Sequence, residues 1–300
     1  MEKNMISEVK KLKCGTVLEN VDMRKYTTYK AGGLAKLMVF PKNVKQLIKL
    51  LEYIKNNNIK YKVLGKGSNV LFGDSLYEGI IIKLDEFKDI KIDGTKIIVG
   101  AGYSLIKLSL QTARLGLTGL EFASGIPGSI GGAVFMNAGA YKSDMGYIVK
   151  EVKVLTPKLE VKTLSNKEMD FHYRTSFLQK NSGYICLEAT IVLKKGNRDL
   201  ILEVINDRKR RRIEAQPLEF PSAGSVFRNP EGDYAGRLIE EAGYKGKRIG
   251  DAKVSDKHAN FIINVGRAKG DDIKKLILEI KDVVKKKYNI DLKIEQEFVE

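Results

Sequence analysis

Residues 123–141, ASGIPGSIGGAVFMNAGAY, hold five glycines (Gly125, Gly128, Gly131, Gly132 and Gly139) within 15 positions and carry no charged side chain. A segment this poor in polar side chains gains little from lying in water as an ordinary surface loop. Glycine has no Cβ, so its peptide groups can approach a large flat ligand and take φ values closed to other residues. Any one of these glycines is accounted for by a turn. Five together point to backbone laid against a ligand, and whatever fold the chain adopts has to be built around them.

A second glycine pair stands in VLGKGSNVLF at 63–72, where Gly65 and Gly67 flank Lys66 directly after a strand-like run. Successive backbone amides freed in this way suit a pyrophosphate, although the same residues also make an ordinary turn. Val70 occupies the place of the third glycine of a dinucleotide fingerprint, and no GK[ST] follows, so neither the βαβ nucleotide signature nor a P-loop is present. Two such loops fit one extended dinucleotide.

Three hundred residues with 43% hydrophobic and 8% aromatic content suffice for two or three folding units. No run of about 18 apolar residues occurs and the first 15 residues are charged throughout, so neither a membrane span nor a signal peptide is expected, and the cytoplasm is the expected location. Cys14, Cys186, His172 and His258 stand too far apart for a metal site or a disulfide framework; the thiols are expected to be reduced and structural. The 53 Lys plus Arg against 37 Asp plus Glu leave a net charge of +16, which suits nucleic acid, an anionic surface or small polyanions alike. The lysines fall where a solvated helix face would carry them, as in KDVVKKKY at 281–288. The run Arg208 to Arg212 contains no aromatic on which bases could stack, and nucleic acid is not an expected partner.

Along the chain, LMVF at 37–40, a helical pattern from Val44 to Asn58 (Val44, Leu47, Ile48, Leu51, Ile54) and KVLG at 62–65 read as strand, helix, strand. IIIKL at 80–84 leads to KIDGTKIIVG at 91–100, where Asp93 and Gly94 predict a tight hairpin. Ser104 caps a helix through Leu105, Leu108 and Ala113 that Gly116 stops. Strands near 151–156, 159–164 and 185–193 predict an antiparallel sheet. A helix from Leu200 ends in Arg208–Arg212 ahead of Pro217. A loop over 217–233, a short helix ending at Gly243, a strand at 260–265 and an amphipathic helix from Asp272 to Tyr288 follow. The fold class is α+β. Within the last region, PSAGSVFRNP at 221–230 sets Ser225 among small residues, with Arg228 and Asn229 just beyond. No histidine lies near it in sequence, which argues against a hydrolase triad and leaves a hydroxyl able to cap a turn or deliver a proton.

GKGSNVL, GIPGSIGGAVFMNAGAY, HYRTSF, SAGSVFRNP and HANFIIN, in this order, resemble the UDP-N-acetylenolpyruvoylglucosamine reductase (MurB) family. The likeness runs from about Tyr26 to the C terminus, and the uninterrupted 170–180 region resembles the shorter subtype, which lacks an inserted tyrosine loop. It implies a vanillyl-alcohol-oxidase (PCMH)-type FAD-binding domain at 27–194, with subdomains at about 27–85 and 86–194. An N-terminal extension at 1–26 precedes it and a C-terminal α+β substrate domain at 195–300 follows. FAD would be non-covalent and lie between the subdomains, with NADPH as co-substrate and a UDP-linked amino-sugar enolpyruvate as substrate. The chain would act as a monomer, away from membranes and without a metal.

By the same resemblance, Gly65, Lys66, Gly67, Ser68, Asn69 and Val70 would hold the pyrophosphate. Gly125, Ile126, Pro127, Gly128, Ser129, Gly131 and Gly132 would approach pyrophosphate and flavin; Asn137 and Gly139 would extend that contact, with Tyr29 of YKAGG nearby. The family's reaction passes hydride from NADPH to flavin N5 and on to C3 of the enolpyruvyl ether. Arg174 would stabilise the resulting enolate, Ser225 would protonate C2, and a C-terminal glutamate would assist Arg174. The family's usual LEPEV ending stands here as IEQEF. Leu292, Ile294 and Phe298 alternate, so Glu295 and Glu297 share the opposite face, and alignment of the second carboxylate favours Glu297. Either could enter the pocket, and a solvated edge glutamate is the plainer alternative. Arg212, Arg228, Asn229 and His258 would meet substrate, although Arg208–Arg212 equally suits a helix C terminus. Two rivals stand beside this reading, an FAD-dependent oxidase of the same fold and a non-catalytic nucleic-acid-binding protein.

Overall fold

The computed structural model describes residues 2–300 and divides into two compact units that are not collinear with the sequence. The first comprises Met1–Glu19, Leu37–Gly65 and Gly79–Arg210; the second comprises Asn20–Lys36, Lys66–Glu78 and Arg211–Glu300.

In the first unit, the residues expected to form an extension open with a helix, Glu2–Lys11. Val9 and Cys14 are fully buried and belong to the unit's core, so this stretch is part of the fold. A four-stranded sheet runs in the order Thr16–Asp22, Leu34–Phe40, Tyr77–Lys83, Tyr61–Leu64. Its last pair is parallel, with Val63 opposite Ile82. Both faces of the central strand are covered: Ile80, Ile81 and Ile82 are each 0% exposed, which is why this segment reads as a continuous apolar run. Each such burial contributes roughly 1.5–3 kcal/mol. The helix Val44–Asn56 starts where the Asn43 side chain accepts from the Gln46 amide at 3.0 Å and buries Leu47, Leu50, Leu51 and Ile54.

A five-stranded sheet follows, in the order Val161–Ser165, Val149–Leu155, Ile185–Val192, Lys96–Gly100, Ile90–Asp93, with every pair antiparallel. The predicted hairpin closes with Asp93 opposite Lys96 and Gly94 at φ +55°. The helix Leu105–Arg114 carries the predicted Ser104 cap, and Gly116 beyond it lies at φ +70°. The helix Arg198–Ala215 is longer than the apolar pattern suggested and carries the basic run to its C-terminal turn.

The second unit is organised by the helix Gly270–Tyr288, whose buried Ile273, Leu276, Ile277, Ile280 and Val284 share a core with Ala252, Val254 and Ile262 of a three-stranded antiparallel sheet. The Asp74 carboxylate accepts from the amides of Gly270 and Asp271 at 2.9 and 3.0 Å, satisfying two donors the helix start leaves open. Val70–Phe72 pairs in parallel with the C-terminal strand Glu297–Val299, Val70 opposite Glu297. Among the described residues, no helix is long and apolar enough to cross a membrane.

Candidate active site

In the first unit the two glycine segments meet. A Cβ on Gly65 would stand 2.6 Å from Ser129 Oγ, so with the serine in this position a glycine there lets the first loop pack closely on the second. The long segment is clamped onto residues 101–105: the amides of Ile130 and Gly131 donate to Tyr103 and Ala101 at 2.9 and 2.8 Å, and Leu105 donates to Gly128 at 3.0 Å. Ser129 caps the short helix Ile130–Met136, its hydroxyl 3.4 Å from the Gly132 amide. The glycines differ in what they are for. A Cβ at Gly131 would press on Ala101 at 3.0 Å, and one at Gly139 would meet Ser143 and Asp144 at 2.5 Å, whereas Gly128 faces open space. Pro127 beside Gly128 is exposed and Gly125 and Ile126 are half-buried, so 125–128 is the stretch of the segment left uncovered by the rest of the unit. Uncharged peptide with a bare approach suits the flat face of a flavin.

Asn137 ends that short helix at φ +42° in the left-handed region, which asparagine tolerates. Its side chain donates to the His172 carbonyl at 2.8 Å and accepts from the Gly146 amide at 2.9 Å. His172 and Thr175 exchange backbone hydrogen bonds across the turn that carries Arg174, itself at φ +55°. The guanidinium of Arg174 donates to the Gly139 carbonyl at 2.8 Å. Gly128–Gly132, Asn137, Gly139 and Arg174 are therefore joined through hydrogen bonds, and Gly65 packs against Ser129 of the same segment. Strain at Arg174, at φ +55°, is held by its neighbours.

Sequence reasoning passed over Lys83. It is 3% exposed, donates to the Gly65 carbonyl and lies 3.4 Å from the Asp85 carboxylate, which sets a buried cation under the first loop. Its signal was a lysine inside an otherwise apolar strand.

In the second unit, Lys66 is exposed and Gly67 turns at φ +66°, where a Cβ would strike the Tyr26 carbonyl at 2.1 Å. Ser68 is half-buried, and Asn69 ties this loop to the C-terminal segment: its side chain donates to the Glu295 carbonyl and its own carbonyl accepts from Glu297, both at 3.0 Å. Leu292 and Gln296 are buried on one side of that segment, while the Glu297 residue is exposed on the other and Glu295 half-buried. Tyr77 is pushed up to about 12, first by burial and then by the negative charge of Glu297.

Ser225 sits half-buried after Gly224, which is at φ +73°, and bridges to Phe261. The next residue, Val226, donates to the Asn260 carbonyl at 2.9 Å and accepts from the Glu295 amide at 2.8 Å. Asn260, 3% exposed, also accepts from the Phe227 amide and donates to the Phe227 carbonyl. Arg228 is anchored through its amide to the Lys293 carbonyl, and the Asn229 oxygen accepts from the Ala235 amide at the start of the helix Ala235–Glu241. His258 Nδ1 accepts from the Asn260 amide at 3.2 Å, which leaves the proton on Nε2, and burial lowers its pKa. Arg212 lies in the last turn of its helix. Tyr29 is wholly buried, its hydroxyl bonded to Gln296 at 2.9 Å, so its side chain supports this unit from inside. Asn260 and Gln296 were missed; an asparagine in the apolar run ANFIIN was the available sign for the first.

Residues 35–165 match the family model described as FAD binding domain, and residues 216–299 match that of the UDP-N-acetylenolpyruvoylglucosamine reductase C-terminal domain. The chain is 47% identical over 300 residues to the UDP-N-acetylenolpyruvoylglucosamine reductase of Anoxybacillus flavithermus, covering 100% of this chain and 99% of the relative. It is 42% identical to that of Bacillus subtilis, again over 100% of this chain and 99% of the relative. A crystal structure of the corresponding reductase (MurB) from Thermus caldophilus matches with a TM-score of 0.81 and 34% identity over 95% of this chain and 98% of that one. With full-length identity at this level and glycine segments built to present backbone, the chain belongs to the UDP-N-acetylenolpyruvoylglucosamine reductase family.

Proposed function

We propose that this chain is an NADPH-dependent flavoenzyme that reduces the enolpyruvyl ether of UDP-N-acetyl-3-O-(1-carboxyvinyl)-glucosamine to UDP-N-acetylmuramate, a precursor step of peptidoglycan synthesis. The observation that carries this reading is the bonding of Arg174 to Gly139 and, through Asn137, of its turn to the glycine segment. Those bonds support the reading that Arg174 works beside the glycine segment proposed to receive the cofactor.

FAD, when bound, supplies hydride chemistry, taking a hydride from NADPH and delivering it to C3 of the enolpyruvyl ether. Addition at C3 leaves an electron pair spread over C2 and the carboxylate. Arg174 stabilises that charge with guanidinium donors preorganised by its turn. Ser225 gives its hydroxyl proton to C2; an enolate carbon is a strong base, so a hydroxyl of ordinary acidity suffices. Glu297 supplies the assisting carboxylate, and Gly65–Val70 with Gly125–Gly132 hold the cofactor. Arg212, Arg228, Asn229 and His258 contact the nucleotide-linked substrate. The balance is one NADPH and one proton consumed per lactyl ether formed. The reaction belongs in the cytoplasm, where NADPH and nucleotide sugars are made, and the chain works as a monomer.

Purified protein is expected to be yellow, to bleach on NADPH addition and to recover colour when the enolpyruvyl substrate is added under nitrogen. Folded protein that stays colourless after incubation with FAD sinks the proposal. Sedimentation at working concentration checks the monomer.

A further inference from the structure

We propose that Gln296, held by Tyr29, is a positioning residue that sets the backbone of the Ser225 turn. Ser225 as proton donor is part of the reading above, and this inference rests on it.

Gln296 is 5% exposed and Tyr29 is 0% exposed. The Tyr29 hydroxyl donates to Gln296 Oε1 at 2.9 Å, and Gln296 Nε2 donates to the carbonyls of Ala223 and Gly224 at 3.2 and 3.3 Å. Those are the two peptides directly before Ser225. The arrangement also fixes which way the carboxamide points. Turned over, it would bring Oε1 against two carbonyl oxygens, an unfavourable contact of acceptors. A tyrosine hydroxyl donating to Oε1 therefore selects the orientation in which the amide can donate to the turn. Burial drives the Tyr29 hydroxyl well above its usual range, which keeps it a donor at any working pH.

The turn needs such a hold. Gly224 is in the left-handed region with open space where a Cβ would be, so packing at that residue does not restrain it. Downstream, Val226 is fixed by Asn260 and Glu295. Upstream, Gln296 supplies the matching restraint, and the direction of the Ser225 side chain follows from both. Tyr29 is tied in turn by Asn264, whose side chain donates to the Tyr29 carbonyl at 3.0 Å.

The test compares half-reactions per bound flavin in the FAD-loaded full chain for Gln296→Leu, Tyr29→Phe and, as reference, Ser225→Ala. A small misplacement of a reacting group costs up to about 100-fold in rate, so Gln296→Leu should slow the return of colour with substrate by about 10- to 30-fold. Bleaching by NADPH should stay within about twofold, since no proton from Ser225 is used there. Tyr29→Phe, the milder change should the leucine variant not fold, keeps the amide donors and should slow colour return by about threefold. Ser225→Ala slow in colour return while both brace variants keep the wild-type rate per flavin, with only less flavin or lower Tm, overturns the brace alone. Ser225→Ala fast in colour return overturns the serine's role and the brace with it.

Discussion

The glycine segment of the first unit and the serine turn of the second solve the problem of holding a loop still by opposite means. At Gly139 a Cβ would collide with Ser143 and Asp144 and at Gly131 it would press tightly on Ala101, and the left-handed positions at Asn137 and Arg174 lock the bend. Around Ser225 nothing crowds Gly224; the turn is held by Asn260 and Gln296, buried amides that reach it from distant parts of the chain. Steric wedging fixes a surface in place, which suits the flat ring proposed to lie against it. Hydrogen bonds hold a direction while leaving a hydroxyl room to move, which suits the proton delivery proposed for Ser225.

The contrast can be broken in order of expected effect. Ser225→Ala should slow colour return with the enolpyruvyl substrate by about 1,000-fold, roughly 4 kcal/mol of barrier, and leave bleaching by NADPH nearly unchanged in stopped flow. Equal loss in both halves removes the serine from proton delivery. In the glycine segment, Gly139→Ala should cost about 3 kcal/mol in a urea melt through overpacking. Gly128→Ala, facing open space, should change stability by less than about 0.5 kcal/mol yet weaken FAD retention in a fluorescence titration. If both glycine variants melt alike, steric wedging is not what separates them.

Asn260→Ala should cost about 2–3 kcal/mol, because it strands the buried Phe227 amide and carbonyl. Asn137→Gly should recover about 1 kcal/mol relative to Asn137→Ala, since glycine alone of the two accepts φ +42° without strain. Failure of that recovery in denaturant melts would make Asn137 a hydrogen-bonding residue only, like its counterparts in the second unit.

The smallest effect is with pH. Burial lowers the His258 pKa in the folded chain below its ordinary 6.5, so the unfolded chain takes up the proton first as pH falls. His258 therefore contributes stability that is whole above about pH 6.5 and is lost as pH drops through the folded value. His258→Gln should flatten the melting temperature between about pH 5 and 7 relative to the wild type. An unchanged slope would show that burial does not depress the His258 pKa in the fold.

Local pattern made much of this molecule legible. Apolar spacing marked a helix from Val44 that ends at Asn56, and Asp93–Gly94 marked a hairpin, because both depend on neighbours a few positions away. The N-terminal extension carried no sign of a packing partner, and Val9 and Cys14 lie in the core; a short amphipathic helix with one apolar stripe does not announce what it packs on. The glycines of 123–141 advertised close backbone approach but not which of them face a neighbour and which face a ligand. IEQEF suggested two carboxylates on one side, and burial of Gln296 with Glu297 exposed opposite agrees with that alternation.

What the amino-acid order determined alone was the element types, the glycine loops and the family, since propensity, caps and motif spacing are written in consecutive residues. Only the tertiary structure decided that Val70–Phe72 pairs with Glu297–Val299, that Lys83 lies under Gly65, and that Tyr29 reaches Gln296 across 267 positions. Such contacts leave no periodic trace, because a hydrogen bond between buried side chains depends on where the chain returns in space and not on the distance travelled along it.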